Sequence, residues 1–367
     1  MKVCLVCLEI FAWGKMGGFG SATRTIAREL SNRGIDVCVV VPRRQGQKEI
    51  EKLDNFVVYG YPMYNPFYAG TLFKKINADV YHSEEPSFAT YLAMRTMRDR
   101  KHVVTFQDTR VFRDWLTELS HPSRKKLHVL LNILYEDNLM VRGCVRKFDA
   151  LCAAANLLIE KAKKKYKLNR APQFMPNPVH VPEFVNKSSK PTVCFIGRWD
   201  LVKRPELFLE LAEKLPGVHF IAVGSAQDKE VDARIRSKYQ DVPNLEMPGF
   251  IDQFKSEKLK EILSQSWIMV NTSAKESLPV SFTEAVSYQC AIVSSLDPDG
   301  FVSKFGKVAE GEDYVSAIRY LLKDNRWKTC GMRGYEFIKE HFSVETIIPK
   351  HIKLYESLLK GSKKVSC

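Results

Sequence analysis

The 367-residue chain is predicted to be an α/β protein with two doubly wound domains. Three observations predict this. The length exceeds what one hydrophobic core ordinarily organises. Short apolar runs alternate with helix-period stretches along most of the chain, the pattern of strands joined by crossover helices. Periodicity then breaks where Pro172, Pro176, Pro178, Pro182 and Pro191 surround the polar stretch 186–190, the composition of a domain boundary. The expected division is residues 1–180, residues 181–345 and a terminal helix in residues 346–367.

Composition fits a folded protein, with 45% hydrophobic and 27% charged residues. The net charge of +14 is uneven: Met1 to His180 carry 29 Lys+Arg against 17 Asp+Glu, so the first half is expected to meet any anionic surface. A nucleic-acid binder fits that charge but lacks a recognisable motif and ranks last. The nine cysteines lie mostly in apolar strand patterns, among them Cys4, Cys7, Cys38, Cys152 and Cys194, where they act as small hydrophobes. Cys4 and Cys7 share a strand with side chains on opposite faces, and no second pair follows, so no metal site is expected. The unpaired set indicates a reducing compartment. Glu9 interrupts the N-terminal apolar run, which reads as a strand and not as a signal peptide, and no stretch reaches the length of a membrane span. A cytoplasmic protein is expected, with at most a peripheral membrane attachment.

The first half opens with a strand at Val3–Leu8. A glycine loop, Gly14 to Gly20, and a helix from about Ser21 to Arg33 follow, and Asp36–Pro42 is a second strand. Glycines such as Gly17 and Gly18 let a backbone approach a ligand closely, although a plain turn explains them equally well. Ala78 to Pro86 and His102 to Asp108 read as strands with polar exits, the first leading into a helix from Pro86 to Arg98. Such exits line the ligand crevice of open α/β sheets. His82 reads as a strand-end histidine satisfied by its neighbours or as a ligand contact. Residues 121–148 read as one long helix with Arg124, Lys125 and Lys126 at one end and Arg142, Arg146 and Lys147 at the other. Two readings stand for it: a helix lying on anionic lipid, or a core helix with solvated basic ends, the second favoured because charge runs are usually a wet face.

In the second half Thr192–Ile196 is a strand whose exit carries Arg198 and Lys203. Cations at such an exit can clamp a diphosphate, although a charged surface turn is the plainer reading of the pair alone. Strands at Val218–Ser225, ending in glycine, and at Asn244–Phe250 follow. Trp267–Ser273 is a further strand, leading through Glu276 into a helix with Pro279 in its first turn, and Ala291–Ser294 is the next strand. The free amides around Ser277, Leu278, Pro279 and Val280 make an anion site. Glu276 and Glu284 border the same crevice, where carboxylates would accept bonds from sugar hydroxyls. The plainer alternative is a solvated Glu276 and a Glu284 favoured by the helix dipole. Asp297 and Asp299 flank Pro298 in a turn signal and not a metal pair. Helices are expected over 311–323, 326–341 and 344–359.

Glu276-x7-Glu284 with Leu278-Pro279 inside it, and Gly197-Arg198-x4-Lys203, resemble the signatures of the family 4 retaining glycosyltransferases, the glycosyl transferases group 1. The glycine loop and the strand ends at Asp79–His82, Thr105–Asp108 and Met175–Val179 resemble the family's first domain, with Gln107 where the family presents histidine and Pro178 where it presents glycine. Gly224 and Leu245–Gly249 resemble its later strand ends. The resemblance implies the GT-B architecture: two Rossmann-like doubly wound domains facing across a cleft, with the last helix packing back on the first. It further implies transfer of a hexose-type sugar from a UDP- or GDP-linked donor to an acceptor, without a cofactor or metal. In that reading Arg198 and Lys203 bind the diphosphate, Glu276 positions the donor sugar and Glu284 binds the ribose. Backbone at Phe250 meets the base, the amides from Ser277 to Val280 add to the anion site, and Gly17 and Gly18 lie under the sugar and diphosphate. Gln107 stands where the family contacts the transferred sugar. Two alternatives remain: a nucleotide-sugar isomerase or hydrolase of this fold, which needs a titrating pair that Gln107 cannot supply, and a silent binding module using the basic first half.

Overall fold

The computed structural model describes residues 1–14, 17–120 and 126–361. The chain divides into two compact units. One holds Met1–Ser120, the chain onward to Pro178 and the segment from Val344; the other holds Val179–Ser343.

The first unit alternates strands and helices: β1 (Lys2–Val6), α1 (Gly18–Asn32), β2 (Asp36–Pro42), β3 (Ile50–Leu53), β4 (Phe56–Tyr61), α2 (Tyr68–Ile76), β5 (Val80–Ser83), α3 (Phe88–Thr96), β6 (Lys101–Phe106), α4 (Phe112–Ser120), α5 (Lys126–Glu136), α6 (Leu139–Val145), β7 (Ala150–Ala153), α7 (Asn156–Tyr166) and β8 (Gln173–Phe174). Its sheet runs β3-β4-β2-β1-β5-β6-β7-β8, parallel except for the β3–β4 hairpin. The chain builds outward from β1 in one direction through β2 and then returns to its other side with β5. Loops on either side of such a reversal diverge and leave a crevice at the strand ends. Period-2 side chains divide the strand between two cores. Cys4 and Val6 pack with Phe73 and Tyr81 on one face, and Val3 and Leu5 with Ile26 and Leu30 on the other.

Several expectations change here. Helix α1 starts at Gly18, not Ser21, so Gly18 and Gly20 belong to its first turn. A Cβ at Gly20 would lie 2.9 Å from the Phe11 nitrogen, and glycine there lets the helix start settle on that backbone. Lys15 and Met16 of the glycine loop lie outside the described residues. The β3–β4 hairpin was not legible; Arg24 fastens its turn through two bonds to the Asp54 carboxylate, at 2.7 and 2.8 Å. The single helix expected over 121–148 is two, α5 and α6, because Asn138 accepts a bond from Val141 N at 3.0 Å and caps a new helix. Arg124 and Lys125 of its basic end lie outside the described residues, as does the Lys126 side chain. The helix expected from Pro86 to Arg98 is confined to Phe88–Thr96, entered through a capping box in which Ser87 and Thr90 bond each other's backbone.

The second unit contains β9 (Thr192–Ile196), α8 (Pro205–Lys214), β10 (His219–Val223), α9 (Lys229–Tyr239), β11 (Leu245–Gly249), α10 (Lys258–Gln265), β12 (Ile268–Asn271), α11 (Val280–Ser287), β13 (Ala291–Ser294), α12 (Phe301–Phe305), β14 (Gly306–Val308), α13 (Tyr314–Leu322) and α14 (Arg326–His341). Its sheet, β11-β10-β9-β12-β13-β14, pairs in parallel throughout. The order reverses between β9 and β12. Pro279 is the residue before α11 and not part of its first turn, with extended backbone at φ −68° and ψ 137°. Asp297 accepts from Val302 N and Ser303 N, at 2.7 and 3.2 Å, and thereby shapes the turn into α12.

The final helix, α15 (Val344–Gly361), belongs to the first unit. Its Ile347, Ile348 and Tyr355 share the core of Val3, Leu5 and Ile26. No described helix is long and apolar enough to cross a membrane.

Candidate active site

The two strands beside the reversal in the second sheet bring the expected acid and base together. Beyond β9 the chain turns through Asp200, whose Oδ1 accepts from Val202 N (3.1 Å) and Lys203 N (2.9 Å). That turn aims Lys203 at the exit of β12, where its ammonium forms an ion pair with Glu276. Asn271, the last residue of β12, donates to the same Glu276 oxygen at 3.2 Å. The two exits are also stitched by backbone contacts. Thr272 Oγ1 donates to the carbonyls of Lys203 and Arg204, at 2.8 and 2.9 Å, and Arg204 Nε returns a bond to Thr272 O at 2.6 Å. Arg198 is held by Asp200 at 3.3 Å with 39% of its side chain exposed, so its guanidinium reaches solvent.

Helix α11 begins without a side-chain cap. Its leading amides, following Ser277 and Leu278, therefore point out of the helix start beside Glu276. Glu284 follows one turn into the helix, half-buried, and burial pushes its carboxyl up to about 7 against a hydrogen bond from Gln253. Gln253 follows Phe250 in the connection after β11, so Glu284 and the segment expected at the base lie together. A Cβ at Gly224 would sit 1.9 Å from the Gly197 carbonyl oxygen, and φ there is +143°. Only glycine permits the β10 exit to press so closely on the turn that carries Arg198.

In the first unit, Gly17 caps α1 with backbone alone, and a Cβ on it would lie 2.5 Å from Glu9 Oε1. Gln107, at the β6 exit, donates to Glu84 Oε2 (3.0 Å) and Asn177 Oδ1 (2.9 Å) and accepts from Asn177 Nδ2 (2.9 Å). Its amide protons are thus committed to the protein. Glu85 accepts from the backbone nitrogens of Gln107 and Asp108, at 2.6 and 2.8 Å, pinning the strand exit. Burial pushes Glu84 up to about 7 and Glu85 to about 8. His82 is fully buried between Tyr355 OH (Nδ1, 2.7 Å) and Thr105 Oγ1 (Nε2, 2.8 Å), the satisfied-neighbour reading, and burial lowers its basicity.

Sequence reasoning missed Asn271, Gln253 and the Glu84–Gln107–Asn177 cluster. Two adjacent acids before Pro86 at a strand exit were the available signal for the last. Asn271 and Gln253 had none, since their roles arise from partners far along the chain. Among the described residues no group of three or more His, Cys, Asp or Glu side chains could hold a metal ion.

Known proteins match this chain in family model and in fold. The family model for glycosyl transferases group 1 matches residues 179–331, and that for glycosyltransferase family 4 matches residues 16–181. No curated protein matches the chain in sequence. Among solved structures, a sucrose-phosphate synthase from Thermosynechococcus elongatus has a TM-score of 0.73 at 16% identity, covering 98% of this chain and 99% of its own. Anabaena HepE in complex with UDP-glucose has a TM-score of 0.70 at 14% identity, covering 97% of this chain and 100% of its own. WaaG, a glycosyltransferase involved in lipopolysaccharide biosynthesis, has a TM-score of 0.69 at 13% identity, with 96% and 99% covered. At these identities the structures establish the fold, and the two family models together match residues 16–331. The chain belongs to the family 4 glycosyltransferases and is a glycosyltransferase of GT-B fold.

Proposed function

We propose that the protein moves a hexose-type sugar from a UDP- or GDP-linked donor to a lipid or polysaccharide precursor, with retention of anomeric configuration. The observation that carries this reading is the Lys203–Glu276 pair beside the uncapped start of α11. Lys203, Arg198 and the amides of that helix start hold the diphosphate and stabilise the charge that builds as the sugar departs. Glu276 accepts bonds from the sugar hydroxyls, and Glu284 from the ribose. Gly17 and Gly18, at the start of α1, belong to this reading as donor-binding residues of the first unit. Rate enhancement comes from position and electrostatics, and the reading calls for no cofactor and no metal beside the nucleotide sugar. The protein acts in the cytoplasm, and peripheral contact with anionic lipid through the basic first half belongs to the same reading. HepE binds UDP-glucose in its solved complex, which supports a nucleotide-sugar donor here.

Transfer is favoured over isomerisation because Gln107, at the strand exit where the family presents histidine, cannot titrate and so cannot complete the acid–base pair that isomerisation needs. A thermal-shift screen of UDP-, GDP- and ADP-sugars tests the donor, since a bound nucleotide raises the melting temperature by mass action. Donor turnover by Glu276→Ala and Lys203→Ala tests the site. Unchanged turnover in both variants would end the assignment.

A further inference from the structure

Helix α5 is amphipathic in the inverted sense. Leu127, Leu130, Leu131 and Leu134 recur at helical spacing, yet all four are exposed, Leu127 at 65% and Leu134 at 68%. The opposite side holds the structure: Val129 is buried, and Tyr135 bonds the hydroxyl of Tyr61. The flanking helices continue the pattern. Phe112 and Leu116 of α4, one turn apart, and Leu139 and Met140 at the start of α6 are exposed as well, Phe112 at 77% and Leu139 at 84%. Eight large apolar side chains left in water over three consecutive helices far exceed the scattered exposure normal for a folded surface.

The charges on these helices show what covers them. Each of their carboxylates is turned to an internal cation: Asp114 to Lys161 (2.6 Å), Glu118 and Glu136 to Arg110 (3.5 and 3.2 Å), Asp137 to Arg142 and Lys165 (2.7 and 3.3 Å). The outward side is thereby stripped of free negative charge. In sequence, residues 112–147 carry seven Lys+Arg against four Asp+Glu, and Lys147 at the end of α6 is exposed. An apolar face whose acids are neutralised, on a stretch of net positive sequence charge, matches a layer that is oily within and negative at its surface.

We propose that the outer face of α4, α5 and α6 docks on an anionic lipid bilayer, inserting its leucines below the headgroups. This names the surface for the peripheral contact in the reading above and rests on that part of it, not on the donor chemistry. The test is sedimentation of the whole chain with vesicles of phosphatidylcholine alone and of phosphatidylcholine with phosphatidylglycerol. The wild type is expected to sediment with the second and to be released by salt, and the double variant Leu131→Glu/Leu134→Glu to lose about tenfold or more in partitioning. Both positions are exposed, so its melting temperature and its donor turnover in solution stay at the wild-type level; loss of turnover in the wild type itself would count against the donor chemistry alone. Equal binding of the wild type to both vesicle types, absence of binding to either, full binding by the double variant, or a wild-type dimer that the double variant dissolves would each overturn the proposal, the last by showing a second copy on this face.

Discussion

Lys203 and Glu276, 73 positions apart in sequence, form an ion pair across the exits of the adjacent strands β9 and β12. The pair neutralises itself, and on the proposed reading a diphosphate that takes Lys203 would release Glu276 toward the hydroxyls of the sugar beyond it. Glu276→Ala is therefore expected to lower transfer by about a hundredfold or more while binding the free nucleoside diphosphate more tightly, because its lysine has lost a competitor. Lys203→Ala loses both. Steady-state turnover and competition by the free diphosphate measure the two effects.

Glu284 carries a carboxyl raised to about 7, chiefly by burial. A folded-state value above the unfolded one means that the folded form holds its proton longer, so this group's contribution to stability is present below the unfolded value and is lost as pH rises through about 7. Glu284→Gln removes that loss. The denaturation midpoint of the variant is expected to gain on the wild type between about pH 5 and about pH 8. Donor binding to the wild type should tighten over the upper part of that range, as ribose hydroxyls select the ionised carboxylate. A midpoint difference that stays flat with pH contradicts this.

Gly224→Ala places a methyl against the Gly197 carbonyl at a backbone angle that disfavours any side chain. A destabilisation of at least about 2 kcal/mol is expected, with weakened donor binding because the displaced turn carries Arg198. Chemical denaturation and donor titration on the same sample distinguish the two losses.

Tyr355→Phe strips His82 of one partner inside the first core. A buried ring nitrogen left unmet costs about 1–3 kcal/mol. Thermal melting measures it. The donor dissociation constant should not change, since neither Tyr355 nor His82 is among the groups assigned to the donor.

Parallel strands buried on both faces, such as β2 and β12, announce themselves as short unbroken apolar runs, and the exits that carry Arg198, Lys203 and Glu276 follow from them. That Lys203 faces Glu276 depends on β9 and β12 being neighbours, which strand periodicity alone does not reveal. The β3–β4 hairpin escaped notice because Ile50, Glu51 and Lys52 mix charge into an edge strand. The division between α5 and α6 was hidden by leucines on both sides of Asn138. The outward leucines of α5 misled in another way: apolar letters at helical spacing indicate a stripe without saying whether protein covers it.

The first unit is assembled from two stretches of chain, with the whole second unit encoded between them. During synthesis the strands of the first sheet emerge early, yet Val3, Leu5 and Ile26 must wait for Ile347, Ile348 and Tyr355 to leave the ribosome before their side of the core is closed. The later-encoded unit has everything it needs as soon as Ser343 is free. The order of translation and the order in which the two units can be completed are therefore opposed.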